Sequence, residues 1–162
     1  MARVSLIEED THPELADLME RIRGARRGRL INIYKLLLHS PALAESWFAH
    51  NNAVRWKTEL DGRLRELVII RIGLLTGVHY IVRQHVPGLA IAEGLTLEEC
   101  EALKEWRASS LFSAPDRAAL AYADTMTRDI QVPDSVYAPL KEFFSQRRIV
   151  ELTVLIDRKS VV

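Results

Sequence analysis

Helix signals recur along the whole chain, while strict apolar/polar alternation and glycine-containing hairpin turns are scarce. The pattern predicts an all-α fold. Pro13 sits where the first turn of a helix running to about Ile22 would begin. A second helix is expected over Arg29–Leu38. Ser40 followed by Pro41 predicts a third, with a hydroxyl cap and then a residue that needs no backbone N–H, ending near Lys57. Asp61 is placed to cap a fourth helix carrying Leu64, Leu67, Val68, Ile69, Ile70, Ile72, Leu74 and Leu75. That helix is apolar nearly all round and must be buried on most sides. Thr76-Gly77 interrupts it, and helix resumes at Val78 until Pro87, Gly88 and Gly94 punctuate the chain. Thr96-Leu97-Glu98-Glu99 reads as a capping box. Ser113, Pro115 and Asp116 open a helix to about Arg128, Pro133-Asp134 opens another, and Arg148–Ile156 is the last. Together these make a single-domain helical bundle of about eight helices over residues 1–162.

Composition narrows the function classes. With 22 basic and 22 acidic residues the chain has no net charge, hence no general pull toward nucleic acid or anionic membrane. The longest apolar stretch, Leu67–Leu75, is broken by Arg71 and is too short for a bilayer. Met1–Asp10 carries Glu8, Glu9 and Asp10 and is unlike a signal peptide. A soluble cytoplasmic protein is expected. Cys100 is the one cysteine, so no disulfide or dithiol chemistry can operate within one chain. The five histidines show no paired metal spacing, and no phosphate loop or nucleophile elbow appears, so neither metal nor cofactor is expected. The basic run Arg21, Arg23, Arg26, Arg27 and Arg29 reads as a solvated helix end or subunit contact. Trp47, Phe48 and Trp56 read as core or interface anchors.

Two residues stand out chemically. Glu66 lies in the most apolar helix, where a carboxylate is costly unless paired or protonated. Arg63, one turn earlier, is a candidate partner, as is an arginine from elsewhere. His85 shares a helical face with Ile81 and Val78, a position that suits a satisfied core residue as well as a catalyst. On one unbroken helix the two would be on the order of 28 Å apart. Glu66 stands eleven residues before Gly77 and His85 eight after it, so an antiparallel fold-back at the glycine brings them to similar depth. A carboxylate facing an imidazole is the minimum apparatus for acid–base work. Tyr80, near the start of the second helix, is a candidate hydroxyl donor. His79 and Tyr80 also lie where free N–H groups would favour an anion.

Arg63-Leu-Arg-Glu66-Leu-Val-Ile-Ile-Arg71, Thr76-Gly77, Tyr80, His85 and Gly94-Leu-Thr96 together resemble the carboxymuconolactone decarboxylase family. Asn32-Ile-Tyr34, His39-Ser-Pro41 and Trp47 upstream, and Phe112, Asp116-Arg117 and Glu151-Leu152 downstream, extend the likeness over most of residues 21–156. The resemblance implies the helical fold of alkyl hydroperoxidase D proteins, assembly into trimers or hexamers, and pockets at or near subunit contacts. It implies catalysis by Glu66 and His85, with Tyr80 as an extra donor, and a place in aromatic-compound catabolism. The peroxidase branch carries a Cys-x-x-Cys-x-x-x-His motif. Its histidine matches His85 and its cysteines match Val78 and Ile81, neither of which can form a thiolate. The decarboxylase branch needs no metal and no thiol. The expected activity is therefore that of a cofactor-free lyase or isomerase on a small carboxylated lactone or ring compound. A non-catalytic ligand-binding oligomer is the alternative, and a thiol peroxidase relying on Cys100 is the weaker third. At Asp157–Val162 the apolar pattern breaks where the family's longer members continue it, and a truncated or chimeric end is expected there.

Overall fold

The computed structural model describes residues 3–160, with side chains described up to residue 157. Every regular element among the described residues is helical, and none is a strand. The chain divides into two compact units, Met1–Lys57 and Thr58–Val162.

The first unit holds a 3-10 turn at Pro13–Leu15, then α1 (Ala16–Gly24), α2 (Asn32–Leu37) and α3 (Pro41–Trp56). Its core gathers Leu15, Met19, Ile22, Leu30, Tyr34, Leu38 and Ala44, with Trp47 and Phe48 packed against it. Pro41 opens α3 as expected, but the Ser40 hydroxyl makes no cap hydrogen bond. The arginine run is mostly paired within the unit rather than simply solvated. Arg21 donates to Glu45 and Arg23 to Glu9 and Glu20. Arg26 turns inward, donating to Tyr34 Oη and Asn52 Oδ1 at 2.9 Å each while lying over the Tyr34 and Phe48 rings. Trp56 is exposed, with the Arg55 guanidinium over its ring.

The second unit is built on α4 (Gly62–Leu75). Asp61 caps it by accepting from the Leu64 N–H at 2.8 Å. Leu67, Val68, Ile69, Ile70 and Ile72 are wholly buried. α7 (Ala114–Arg128) and α10 (Gln146–Ser160) pack on α4, and Leu120, Leu152, Leu155 and Ile156 complete the core. Such all-round burial is what an all-round apolar helix requires. Between α4 and α7 lie α5 (His79–Gln84), a π-helical segment (His85–Ala90) and α6 (Leu97–Ala102). Two short helices, α8 (Asp134–Tyr137) and α9 (Leu140–Phe143), precede α10. The capping boxes at Thr96 and Ser113 are both formed. Buried Arg71 on α4 is held by Asp124 on α7, with Nε to Oδ1 at 2.7 Å and Nη2 to Oδ2 at 3.0 Å. No helix among the described residues is long and apolar enough to cross a membrane. α10 runs on through Ser160. The side chains beyond residue 157 in the expected truncated end lie outside the described residues.

Candidate active site

Two local devices bring Glu66 and His85 together. The first is the turn after α4. Gly77 takes φ +69°, the left-handed conformation that glycine adopts without strain. The Val78 N–H then donates to Gly73 O at 3.0 Å and the Gly77 N–H to Leu74 O at 3.4 Å, a Schellman closure that reverses the chain. α5 consequently packs back along α4, as the eleven-and-eight spacing around Gly77 predicts. Gly73 also permits close approach: a Cβ there would come within 3.0 Å of Ile81 Cγ2.

The second device is the π-helical segment. Pro87 and Gly88 were expected to break the helix, yet it continues through them. Proline lacks an N–H and its ring collides with the carbonyl four residues back. Widening to the i→i+5 pattern relieves that collision and re-aims the residues around it. His85 is the first residue of this segment, and the helix ends at Gly94, where φ is +91°.

His85 Nδ1 lies 2.5 Å from Glu66 Oε2. Glu66 is 0 % exposed and His85 9 %. With the carboxylate ionised, the Nδ1–H donates to it, which fixes the ring tautomer and leaves Nε2 as the basic nitrogen. Arg63 does not pair with Glu66, contrary to the one-turn expectation. It reaches across to Asp116 on α7 at 2.9 Å and Glu99 on α6 at 2.5 Å, which satisfy it better than a neighbour on its own helix. The arginine beside Glu66 is Arg65, whose Nε is 3.8 Å from Oε1. The sequence reading did not single out Arg65; adjacent helical residues do not face each other, but its long, buried side chain bends back.

Tyr80 is 44 % exposed, and no hydrogen bond joins it to Glu66 or His85 among the described residues. α5 has only six residues, so the helix-start anion site expected at His79 and Tyr80 has little dipole behind it. Cys100 on α6 is buried. Burial first, then the charges of Glu99 and Glu66, push its thiol above the ordinary range. A recess of about 150 Å³ is lined by Arg71, Lys104, Glu105, Trp106, Arg107 and Arg128. Another of about 520 Å³ lies over Glu98, Glu101, Ala102 and Ala108–Leu111. Neither recess is lined by Glu66 or His85. No cluster of three or more His, Cys, Asp or Glu suited to a metal ion occurs among the described residues.

The model of the carboxymuconolactone decarboxylase family matches residues 41–125, a span that contains both Glu66 and His85. The chain belongs to this family. A curated relative, the uncharacterized protein YdfG of Bacillus subtilis (strain 168), is 24% identical over 104 residues, covering 63% of this chain and 70% of that protein. Solved structures share the fold. A cysteine-to-alanine variant of the debrominase Bmp8 in complex with 2,3,4-tribromopyrrole superposes with TM-score 0.80 at 18% identity, covering 98% of this chain and 84% of its own. An uncharacterized peroxidase-related protein from Silicibacter sp. TM1040 gives 0.81 at 18% identity, covering 97% and 83%. A protein of unknown function from Agrobacterium tumefaciens, whose description suggests AhpD-type antioxidant defence, gives 0.67 at 24% identity, covering 77% and 86%. At these identities the likeness concerns fold alone. This family member thus has the all-helical architecture of AhpD-like proteins, with Val78 and Ile81 where the resemblance places the dithiol.

Proposed function

We propose that this family member is a cofactor-free lyase or isomerase acting on a small carboxylated lactone or ring compound. His85 is its acid–base group and Glu66 the partner. The observation that carries this reading is the 2.5 Å contact between His85 Nδ1 and a wholly buried carboxylate.

Decarboxylation of a carboxylated unsaturated lactone breaks the bond between ring carbon and carboxylate, releasing carbon dioxide. The electron pair stays on the ring and delocalises onto the lactone oxygen as a dienolate. A donor aimed at that oxygen lowers the barrier, and a proton must then return to carbon. An imidazole held through Nδ1 suits both steps: Nε2 exchanges the proton, and ionised Glu66 stabilises the imidazolium while it carries one. Tyr80 serves in this reading as an additional hydroxyl donor. In this reading, self-association into a trimer or hexamer closes the ligand cavity.

The debrominase among the fold neighbours was solved with a small ring compound, which agrees with a small cyclic ligand in this fold. Thiol peroxidase chemistry is no part of the reading, because Cys100 is buried and its thiol is pushed up. A second reading, a non-catalytic ligand-binding oligomer, draws on the Arg65–Glu66 approach of 3.8 Å, which can neutralise Glu66 for structural reasons.

The test is a panel of carboxylated lactones, followed by loss of conjugated absorbance and release of carbon dioxide. Turnover is expected, and His85→Ala or Glu66→Gln should each cut kcat by roughly 10²–10⁴-fold with the far-UV spectrum unchanged. Tyr80→Phe should have a much smaller effect. Absence of turnover across the panel would hand the site to the binding-module reading, and full activity in His85→Ala would remove His85 as the acid–base group.

A further inference from the structure

The carboxylate that orients His85 stands in a line of alternating charge. Arg65 adjoins Glu66 on α4, and its side chain is only 6 % exposed. Its Nε is 3.8 Å from Glu66 Oε1, and its Nη2 donates to Glu93 Oε1 at 2.9 Å. Glu93 follows the π-helical segment, and its side chain is 31 % exposed. It can reach Arg65 because position 62, the first of α4, is glycine. A Cβ on Gly62 would come within 1.6 Å of Glu93 Oε2 and 2.3 Å of its Cδ. The order is therefore carboxylate, guanidinium, carboxylate, imidazole. With His85 neutral the four groups sum to one negative charge; with His85 protonated they sum to zero.

We propose that Arg65 and Glu93 are positioning residues that set the proton affinity of His85. Arg65 holds Glu66 ionised with Oε2 toward the imidazole, and Glu93, admitted by Gly62, limits how much of the arginine's charge Glu66 feels. The proposal rests on reading Glu66–His85 as the acid–base pair, but its test does not need turnover. Two carboxylates around one guanidinium favour the imidazolium, so the line keeps a proton in store at His85.

Other ionisable groups lie on the elements packed against the π-helical segment. On α4, Arg63 is paired with Glu99 and Asp116, and Arg71 with Asp124. On α5, His79, Tyr80 and Arg83 are exposed. On α6, Glu98 and Glu101 are exposed, Glu99 is held by Arg63, and Cys100 is a buried thiol.

The experiment follows the His85 imidazole nitrogen resonances through the neutral pH range in the full-length ¹⁵N-labelled protein. Because Glu66 and His85 are in direct contact, the quantity read is the midpoint of the pair as the imidazole reports it. Glu93→Gln removes a negative charge and should lower the midpoint by roughly half to one pH unit. Gly62→Ala removes no charge but drives the Glu93 side chain off Arg65, and should move the midpoint the same way. Arg65→Met should raise it by roughly one unit, and Arg65→Lys should restore part of that shift. If Arg65→Met does not fold, Glu93→Gln and Gly62→Ala decide. A midpoint unmoved in those two, with unchanged thermal unfolding, reduces Arg65–Glu93 to a structural clamp and overturns the proposal. Midpoints that move as stated, in a protein that turns over no lactone, uphold it while removing the enzymatic reading. Turnover that depends on His85 but keeps one pH profile across all the variants also overturns it.

Discussion

Gly73→Ala tests how closely α4 and α5 must approach for the site to form. The added Cβ would lie 3.0 Å from Ile81 Cγ2, 3.1 Å from Ile81 Cβ and 3.4 Å from Val82 Cγ2. Ordinary carbon contacts begin at about 3.5 Å, so α5 must retreat by roughly half an ångström. Rotating Ile81 cannot help, because its Cβ is itself in contact and turns with the backbone. The Schellman closure from Val78 N–H to Gly73 O also tethers the start of α5. Against this stands the better helix propensity of alanine, about 1 kcal/mol in a helix interior. Overpacking a core costs about 1–3 kcal/mol. The strain should win, leaving a net loss of about 1 kcal/mol, read as a lower urea midpoint with unchanged slope. The retreat should also carry to His85, four residues after Ile81, and stretch the 2.5 Å contact with Glu66. A roughly tenfold fall in kcat on a lactone substrate is therefore expected. A Gly73→Ala protein as stable as the wild type, or more so, would refute this reasoning, because propensity would then outweigh a contact that the helices absorb freely.

Two further predictions concern charge and sulfur. Burial favours the neutral form of Asp124, but hydrogen bonds from Arg71, Arg107 and Trp106 outweigh it and hold the carboxyl below its ordinary range. A folded-state value below the unfolded one, about 3.9, stabilises the fold above that pH and loses the contribution as pH falls through the folded value. Asp124→Ala should cost about 3–5 kcal/mol at neutral pH by stranding Arg71. In denaturant titrations at stepped pH, the gap from wild type should narrow only on the acid side of about pH 4; a gap that does not vary with pH would show that the ion pair is not its source. Cys100→Ser should leave peroxide consumption unchanged, and the native thiol should react slowly with a disulfide reagent at neutral pH. Peroxide consumption lost with the serine variant would restore the thiol reading.

Much of the architecture was legible because it rests on local physics. Capping at Asp61, Thr96 and Ser113 satisfies N–H groups within one helical turn, so residue identity and spacing suffice. The apolar circumference of α4 foretold its burial, and Gly77 with its spacings foretold the meeting of Glu66 and His85. Replacement of both family cysteines by Val78 and Ile81 needed no coordinates at all.

Long-range choice of partner was not legible. Arg63 had a carboxylate one turn away and took two others, 36 and 53 residues distant, because α6 and α7 deliver them to its guanidinium. Arg65 was not singled out in the sequence, and only the tertiary structure could show that Gly62 clears space for Glu93 to hold it. Ser40 had the right residue type for a cap and did not make the bond; Trp56, expected as a core or interface anchor, is exposed on this chain. Pro87 had the right type for a helix end and was absorbed by a π-helical turn. Most hydrogen bonds within a turn follow the order of the chain, Ser40 being an exception. Which charges meet across helices depends on where distant backbones come to rest, and that was decided only when the core packed.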